Sequence, residues 1–383
     1  MNFDLNEGQK QKKEDLAARL SQIFQDHPDL SEKDPEAVRK LLSLLAPLDY
    51  FFKTGTDPEQ TRVSPFPETL TSVLLAQEMA QFSPAFCQAL EMSTRLFGWV
   101  ISRWGTEEQI QHFLIPIQQG RWLGAVGLSE SLGNLPSRDM LTEGRKDGPG
   151  YLVNGSKPMV INAPLADGLG VIGKIDGQPA FFLLRSTTPG LQIGPPLATL
   201  GLDQVAMADL TLSHCPVAEE QIIGPFPDAS ILSEIQTRFN LIITTVSLGI
   251  MERALRGAQK VAGETSVNGK PLRANQEIGF KLAEMFTLFQ TAQWMLYRAA
   301  WMLEAGEAEA LTTLAAAKVF VTESAEEVTR SAMQIAAGQG FLSGNILESS
   351  FRDARLGPVA GDTSEVLRLR IAEDCLTKYK AGL

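Results

Sequence analysis

Along residues 1–120, apolar positions return every three or four residues, the spacing of one helical face. In the charged stretch EGQKQKKEDLAARLSQIF, Leu16, Leu20 and Ile23 share such a face. PETLTSVLLAQEMAQF and RLFGWVISRW are apolar around more of their circumference and read as buried helices. Thr106 then precedes EEQIQHFLIPIQQG, a predicted N-cap with acidic residues in the first turn and Gly120 as a stop.

The texture changes over residues 121–225. DGPGYLVNGSKPMVINA sets turn residues around a short β-prone run, and LGVIGKIDGQPAFFLLR places Asp176-Gly177 between two apolar runs, a strong hairpin signal. Short strands broken by frequent turns predict an antiparallel sandwich or barrel.

Beyond residue 226 the helical period returns. Leu314, Ala317, Val321, Ser324, Val328, Ala332 and Ile335 form one stripe. Ile278, Leu282, Met285, Phe289, Ala292, Leu296, Ala299 and Leu303 form another. Stripes of this length fit an antiparallel four-helix bundle. The expected fold class is α+β, mostly α: an N-terminal helical domain (1–120), a middle antiparallel β domain (121–225) and a C-terminal helical bundle (226–383).

Composition narrows the function classes. The chain has 383 residues, 44% hydrophobic and 21% charged, with a net charge of −11. That acidity argues against nucleic acid or an anionic membrane as partner. No run approaches the roughly 18 apolar residues of a membrane span, and the polar start carries no apolar signal segment, so a cytoplasmic protein is expected. Cys87, Cys215 and Cys375 are far apart, as are His27, His112 and His214, so neither a metal site nor a Ser-His-Asp triad is expected.

Several phrases carry more than periodicity. GTEEQIQHFLIPIQQGRWLGAVGLSE, GYLVNGSKPMVINA, LATLGLDQVAMADLTLSHCPVAEEQIIG, FRDAR and GDTSEVLRLRIAEDCL occur in this order between residues 105 and 376. Together they resemble the acyl-CoA dehydrogenase family of flavoproteins. The resemblance implies FAD, an acyl-CoA or acyl-carrier thioester as substrate, and a homotetramer or a heterotetramer with a homologous subunit. In that chemistry a carboxylate removes the α proton while hydride leaves the β carbon for the flavin, and the thioester oxygen is hydrogen-bonded as charge develops on it.

The resemblance also exposes a gap. Aligned on Thr363-Ser364, the family's usual glutamate falls at Gly361. The minority position on the first bundle helix falls at Phe239, with the neighbouring family arginine at Asn240. Neither position holds a carboxylate. Asp362 is the substitute candidate, one position along. A partner subunit supplying the base is a second reading. The third is a chain that performs no dehydrogenation, serving as a binding or scaffold protein or carrying out a flavin-assisted elimination. Read without the resemblance, Asp362-Thr363-Ser364-Glu365 is an ordinary helix start, with a hydroxyl cap and acids complementing the dipole.

The implied cofactor contacts are mixed. Ser129 matches the hydroxyl residue that hydrogen-bonds the flavin ring, and Ser131 replaces the proline that follows. Met159 stands at the family's flavin-side tryptophan, where a methionine can still pack on the flavin, and Ile161 at a hydroxyl position, where it cannot donate; read without the resemblance, both are ordinary core strand residues. Gln334, Gly338 and Gly340 match the phrase lining the adenosine site, with Ala337 for one glycine. Thr363 matches the threonine near the pyrophosphate, and Glu365 is placed at the cofactor edge or the helix start. Thr265 and Asn268 replace an arginine and a phenylalanine contributed by a neighbouring subunit. The lost arginine removes a charge-assisted contact of about 1.5–3 kcal/mol. Arg352 and Asp353 match a family pair read as structural.

Overall fold

The computed structural model describes residues 5–31, 37–46, 48, 68–130, 140–267 and 269–380. Ser131 and Asn268 lie outside the described residues. The N-terminal helices are α1 (Glu7–Asp26), α2 (Ala37–Leu45), α3 (Thr69–Phe82), α4 (Pro84–Glu91), α5 (Trp99–Trp104), α6 (Glu107–Gln109) and α7 (Ile115–Gln118). α1 opens with a capping box from Asn6 and buries Leu16, Leu20 and Ile23. α3 is buried from Thr71 to Ala80, as its unbroken apolar texture requires. Thr106 caps α6 reciprocally with Gln109. Two stretches, Met92–Gly98 between α4 and α5 and Ile110–Leu114 between α6 and α7, are wound as π-helix, which periodicity did not announce.

The middle region is an eight-stranded sheet. Its strands are β1 (Gly124–Gly127), β2 (Glu143–Asp147), β3 (Gly150–Ile161), β4 (Gly168–Ile175), β5 (Gln178–Arg185), β6 (Leu191–Ile193), β7 (Met207–Ala218) and β8 (Ile222–Ile223). The order is β6-β7-β3-β2-β4-β5-β8, with β1 against β4. Asp176 and Gly177, both at positive φ, turn β4 into β5 as a tight hairpin. The expected all-antiparallel pattern holds except at β1–β4 and β2–β4, which are parallel. β1 arrives directly from α7 and enters beside β4 without a hairpin partner.

The C-terminal region consists of α8 (Ser230–Glu264), α9 (Gln276–Ala305), α10 (Ala310–Ala336), α11 (Ile346–Ala354) and α12 (Ser364–Lys380). The α10 stripe is buried at all seven positions. The α9 stripe is buried from Met285 to Ala299, while Ile278, Leu282 and Leu303 are partly covered at its ends. One hydrophobic core runs from α1 through α3, α4 and α8 into α9 and α10, and a second fills the sheet interior. Helical domain, β domain and bundle follow one another in the expected sequence. Among the described residues no helix is long and apolar enough to cross a membrane.

Candidate functional site

Ser129 lies just past the end of β1, half-buried, and its hydroxyl makes no hydrogen bond among the described residues. The chain on either side of it is fixed. Lys157 of β3 is fully buried, and its ammonium donates to the Leu128 carbonyl at 3.3 Å and to Glu130 Oε1 at 2.9 Å. The Glu130 carboxylate also accepts the backbone N–H groups of Leu141 (2.5 Å) and Thr142 (2.7 Å). Burial pushes Glu130 up, but the hydrogen bonds from Thr142, Leu141 and Lys157 outweigh it and hold the carboxyl at about 2. Burial brings Lys157 down to about 8 against the pull of Glu130.

Immediately after Lys157 the pairing of β3 with β7 shifts register, and Met159 takes φ +53°. Asp209 Oδ1 accepts the Met159 N–H at 2.8 Å and so fixes this bulge. The bulge re-aims the side chain outward. Met159 is 44% exposed, whereas Ile161 beyond it is buried and offers no donor. An exposed methionine at the family's flavin-facing position can serve as an apolar, polarizable platform. The open Ser129 hydroxyl is a donor, so these two residues fit the flavin ring, and Ile161 does not replace the hydroxyl it stands for.

At the end of α10, Gln334 and Gly338 are exposed and Gly340 is buried. Ala337 holds φ +49° and ψ −132°, a conformation that glycine adopts at far lower cost. The family phrase has glycine there, and the backbone has kept the glycine shape. Thr265 ends α8 ahead of the small hairpin of β9 (Ser266–Val267) and β10 (Lys270–Pro271).

The loop before α12 brings the base question to a geometry. Gly361 has φ +70°, and a Cβ built there would lie 2.5 Å from Asn240 Oδ1. Asn240 of α8 occupies the space into which a side chain at 361 would start. The same amide donates from Nδ2 to Asp362 Oδ2 at 2.8 Å and accepts the Asp362 N–H at 3.1 Å. Arg370 adds an ion pair to Asp362 Oδ2 at 2.5 Å, and the residue is 5% exposed. Beneath the loop, buried Lys318 of α10 donates to the carbonyls of Gly357 (3.2 Å) and Asp362 (2.7 Å). Burial lowers Lys318 to about 8, opposed by Asp362 and Glu365. Thr363 Oγ1 accepts the Val366 N–H at 3.5 Å and Ser364 opens α12. Glu365 is exposed, its carboxyl lowered by its own backbone N–H and by Thr363, as at a helix start. Phe239, at the alternative base position, is buried in the core.

Arg352 pairs with Glu348 at 2.5 Å and Asp203 at 3.1 Å, and Asp353 accepts the Leu202 N–H at 2.5 Å. These contacts tie the loop before β7 to α11. Burial raises Asp353 to about 6, against that hydrogen bond and the nearby Arg253 and Arg352.

Sequence reasoning singled out positions 129, 159, 240 and 361 through the resemblance, with Met159 also read as a core strand residue, which its exposure contradicts; it did not single out Lys157, Glu130, Asp209, Lys318 or Arg370. A lysine inside the apolar run YLVNGSKPMVI was the available signal for the first of these, since a buried ammonium requires a partner.

Comparison with known proteins agrees with this layout. Residues 60–121 match the acyl-CoA dehydrogenase N-terminal domain and residues 236–376 the acyl-CoA dehydrogenase C-terminal domain. The short-chain specific acyl-CoA dehydrogenase of Bos taurus mitochondria is 30% identical over 298 residues, 76% of this chain and 72% of that protein. The 3-(aryl)acrylate reductase of Clostridium sporogenes is 28% identical over 310 residues, 79% and 82% of the two chains. The butyryl-CoA dehydrogenase structure from Megasphaera elsdenii superposes with a TM-score of 0.85 at 26% identity, covering 98% of this chain and 100% of that one. Taken with the phrases and the three-part fold, these matches show that the chain belongs to the acyl-CoA dehydrogenase family.

Proposed function

We propose that this chain is a subunit of an FAD-dependent acyl-thioester dehydrogenase whose proton acceptor comes from a homologous partner subunit. One observation carries the reading: Asn240 fills the approach to Gly361 and, with Arg370, occupies the Asp362 carboxylate. The amide and the guanidinium both engage Asp362 Oδ2 and the side chain is buried, so it is turned into the loop and is not open to a substrate α carbon. Asp362 is therefore read as the anchor of the loop and not as the base.

Other features support the remaining parts. Ser129 and Met159 would hold the flavin ring, and Gln334, Gly338, Gly340 and Thr363 the rest of the cofactor. FAD, when bound, supplies the hydride acceptor. The outer faces of the bundle expose Phe280, Trp294 and Trp301 on α9 and Leu369 and Leu376 on α12, apolar area suited to a second subunit. The names of the relatives point to short-chain acyl-CoA thioesters and to 3-arylacrylates. These are the first substrates to try.

The test is to express the chain alone and together with a homologous subunit carrying glutamate at the usual position. Each preparation is then assayed for flavin absorbance and for enoyl-thioester formation with an artificial electron acceptor. Flavin and turnover that need both chains are expected. Turnover by the chain alone would remove the partner from the account. Absence of flavin from both preparations would leave a binding protein that has kept the fold.

A further inference from the structure

We infer that Lys157 and Glu130 form a clasp that positions Ser129 toward the flavin ring, so both are positioning residues for the reaction. The inference rests on the FAD reading above and adds residues that the family phrases did not single out.

Lys157 binds the residue before Ser129 through the Leu128 carbonyl and the residue after it through the Glu130 carboxylate. Ser129 is thus held between two fixed points while its own hydroxyl meets no partner among the described residues. Glu130 in turn receives the N–H groups of Leu141 and Thr142 at the entry to β2. One carboxylate therefore ties three segments: the end of β1, the entry to β2 and the middle of β3.

Two further features show that the sequence makes room for this clasp. The aliphatic stem of Lys157 crosses the end of β1 at Gly127, where a built Cβ would lie 2.9 Å from Lys157 Cγ. A side chain at 127 would push the ammonium away from both partners. The bulge that turns Met159 outward begins at Lys157, so one short stretch of β3 sets both flavin-facing residues, Ser129 and Met159. A buried ammonium costs several kcal/mol to desolvate unless fully partnered. An apolar side chain would serve stability alone as well, and what the charged pair adds is a defined geometry.

Lys157→Met and Glu130→Gln are the test variants, purified with FAD and, where required, with the partner subunit. The flavin dissociation constant, the visible absorption maxima and the midpoint potential of the bound flavin are measured for each. Lys157→Met is expected to weaken FAD binding roughly tenfold and to shift the absorption maxima and potential, because a loosened supporting contact misplaces the group it holds. Glu130→Gln keeps the shape and one acceptor oxygen, and should shift the same quantities in the same direction by less. It also carries the test if Lys157→Met does not fold. If both variants melt earlier but their bound flavin keeps the wild-type spectrum and potential, the clasp is merely structural and the inference is overturned. Wild-type protein that takes up no flavin, alone or with its partner, overturns the cofactor reading and this inference with it.

Discussion

Two buried lysines organise two ends of the candidate site, and they do it differently. Lys157 in the sheet meets a carboxylate at 2.9 Å and flanks a residue whose hydroxyl is still open. Lys318 in the bundle meets two carbonyls, of Gly357 and Asp362, and holds only backbone. The loop before α12 is further closed by Ser364 N–H on the Pro358 carbonyl and by Asn240 on Asp362. None of these bonds involves a side chain at 361. The loop therefore holds its shape with glycine at 361, because every one of these bonds is made by other residues. At the sheet end the clasp and Ser129 are adjacent in the chain, so losing one would disturb the other.

Removing Lys318 should break the bundle side most severely. Lys318→Met leaves two buried carbonyls without a donor, a loss of about 3 kcal/mol at roughly 1–3 kcal/mol per unsatisfied group. Urea unfolding followed by circular dichroism measures it. A loss below about 1 kcal/mol would mean that the loop is held by Asn240 and not from beneath.

Restoring a glutamate sharpens the same point. Gly361→Glu places a side chain at φ +70° and against Asn240 Oδ1, so destabilisation of about 2 kcal/mol is expected from strain and collision together. In an Asn240→Ala background the collision is gone and the added cost should fall by about 1 kcal/mol, read as the coupling in a double-mutant cycle. Strictly additive losses would show that Asn240 does not obstruct that position.

The contrast also explains what the sequence disclosed. The stripes of α9 and α10, the Thr106 cap and the Asp176-Gly177 hairpin are local patterns, and all were legible. So was the absence of a carboxylate at Gly361, since a motif position is read by counting. The clamp on Asp362 was not, because Asn240 and Asp362 are 122 residues apart and nothing in either neighbourhood specifies the other. The π-helical turns and the parallel entry of β1 were hidden for the same reason: tertiary packing decides them. Lys157 lay between these cases, visible as a charge in an apolar strand but with its partner, Glu130, 27 residues away.

The two lysines share a pH signature. Both are lowered to about 8, chiefly by burial, while an unfolded lysine releases its proton near the ordinary value of 10.5. Between these values the unfolded chain binds more protons than the folded one, so stability rises with pH across that window. The favourable contribution is complete above 10.5 and is lost as pH falls through about 8. Urea midpoints at successive pH values should show this slope in the wild type, less of it in either lysine→Met variant. An unchanged slope in both variants would assign it to other groups.

The smallest effect separates inherited shape from fitted sequence. Ala337 and Gly361 both sit at positive φ, but only one of them is glycine. At Ala337 the conformation ends α10 beside Gln334 and Gly338, and the residue is exposed. Ala337→Gly relieves strain of about 1 kcal/mol or more and gives back part of it through the greater freedom of glycine in the unfolded chain. A net gain of roughly 0.5–1 kcal/mol is expected, visible as a rise of a few degrees in the melting temperature. The reverse change, Gly361→Ala, should destabilise by more, because it adds the approach to Asn240 to the same backbone strain. Were Ala337→Gly to lower the melting temperature instead, the end of α10 would be a turn fitted to alanine, and the kinship between these two glycine-shaped positions would be lost.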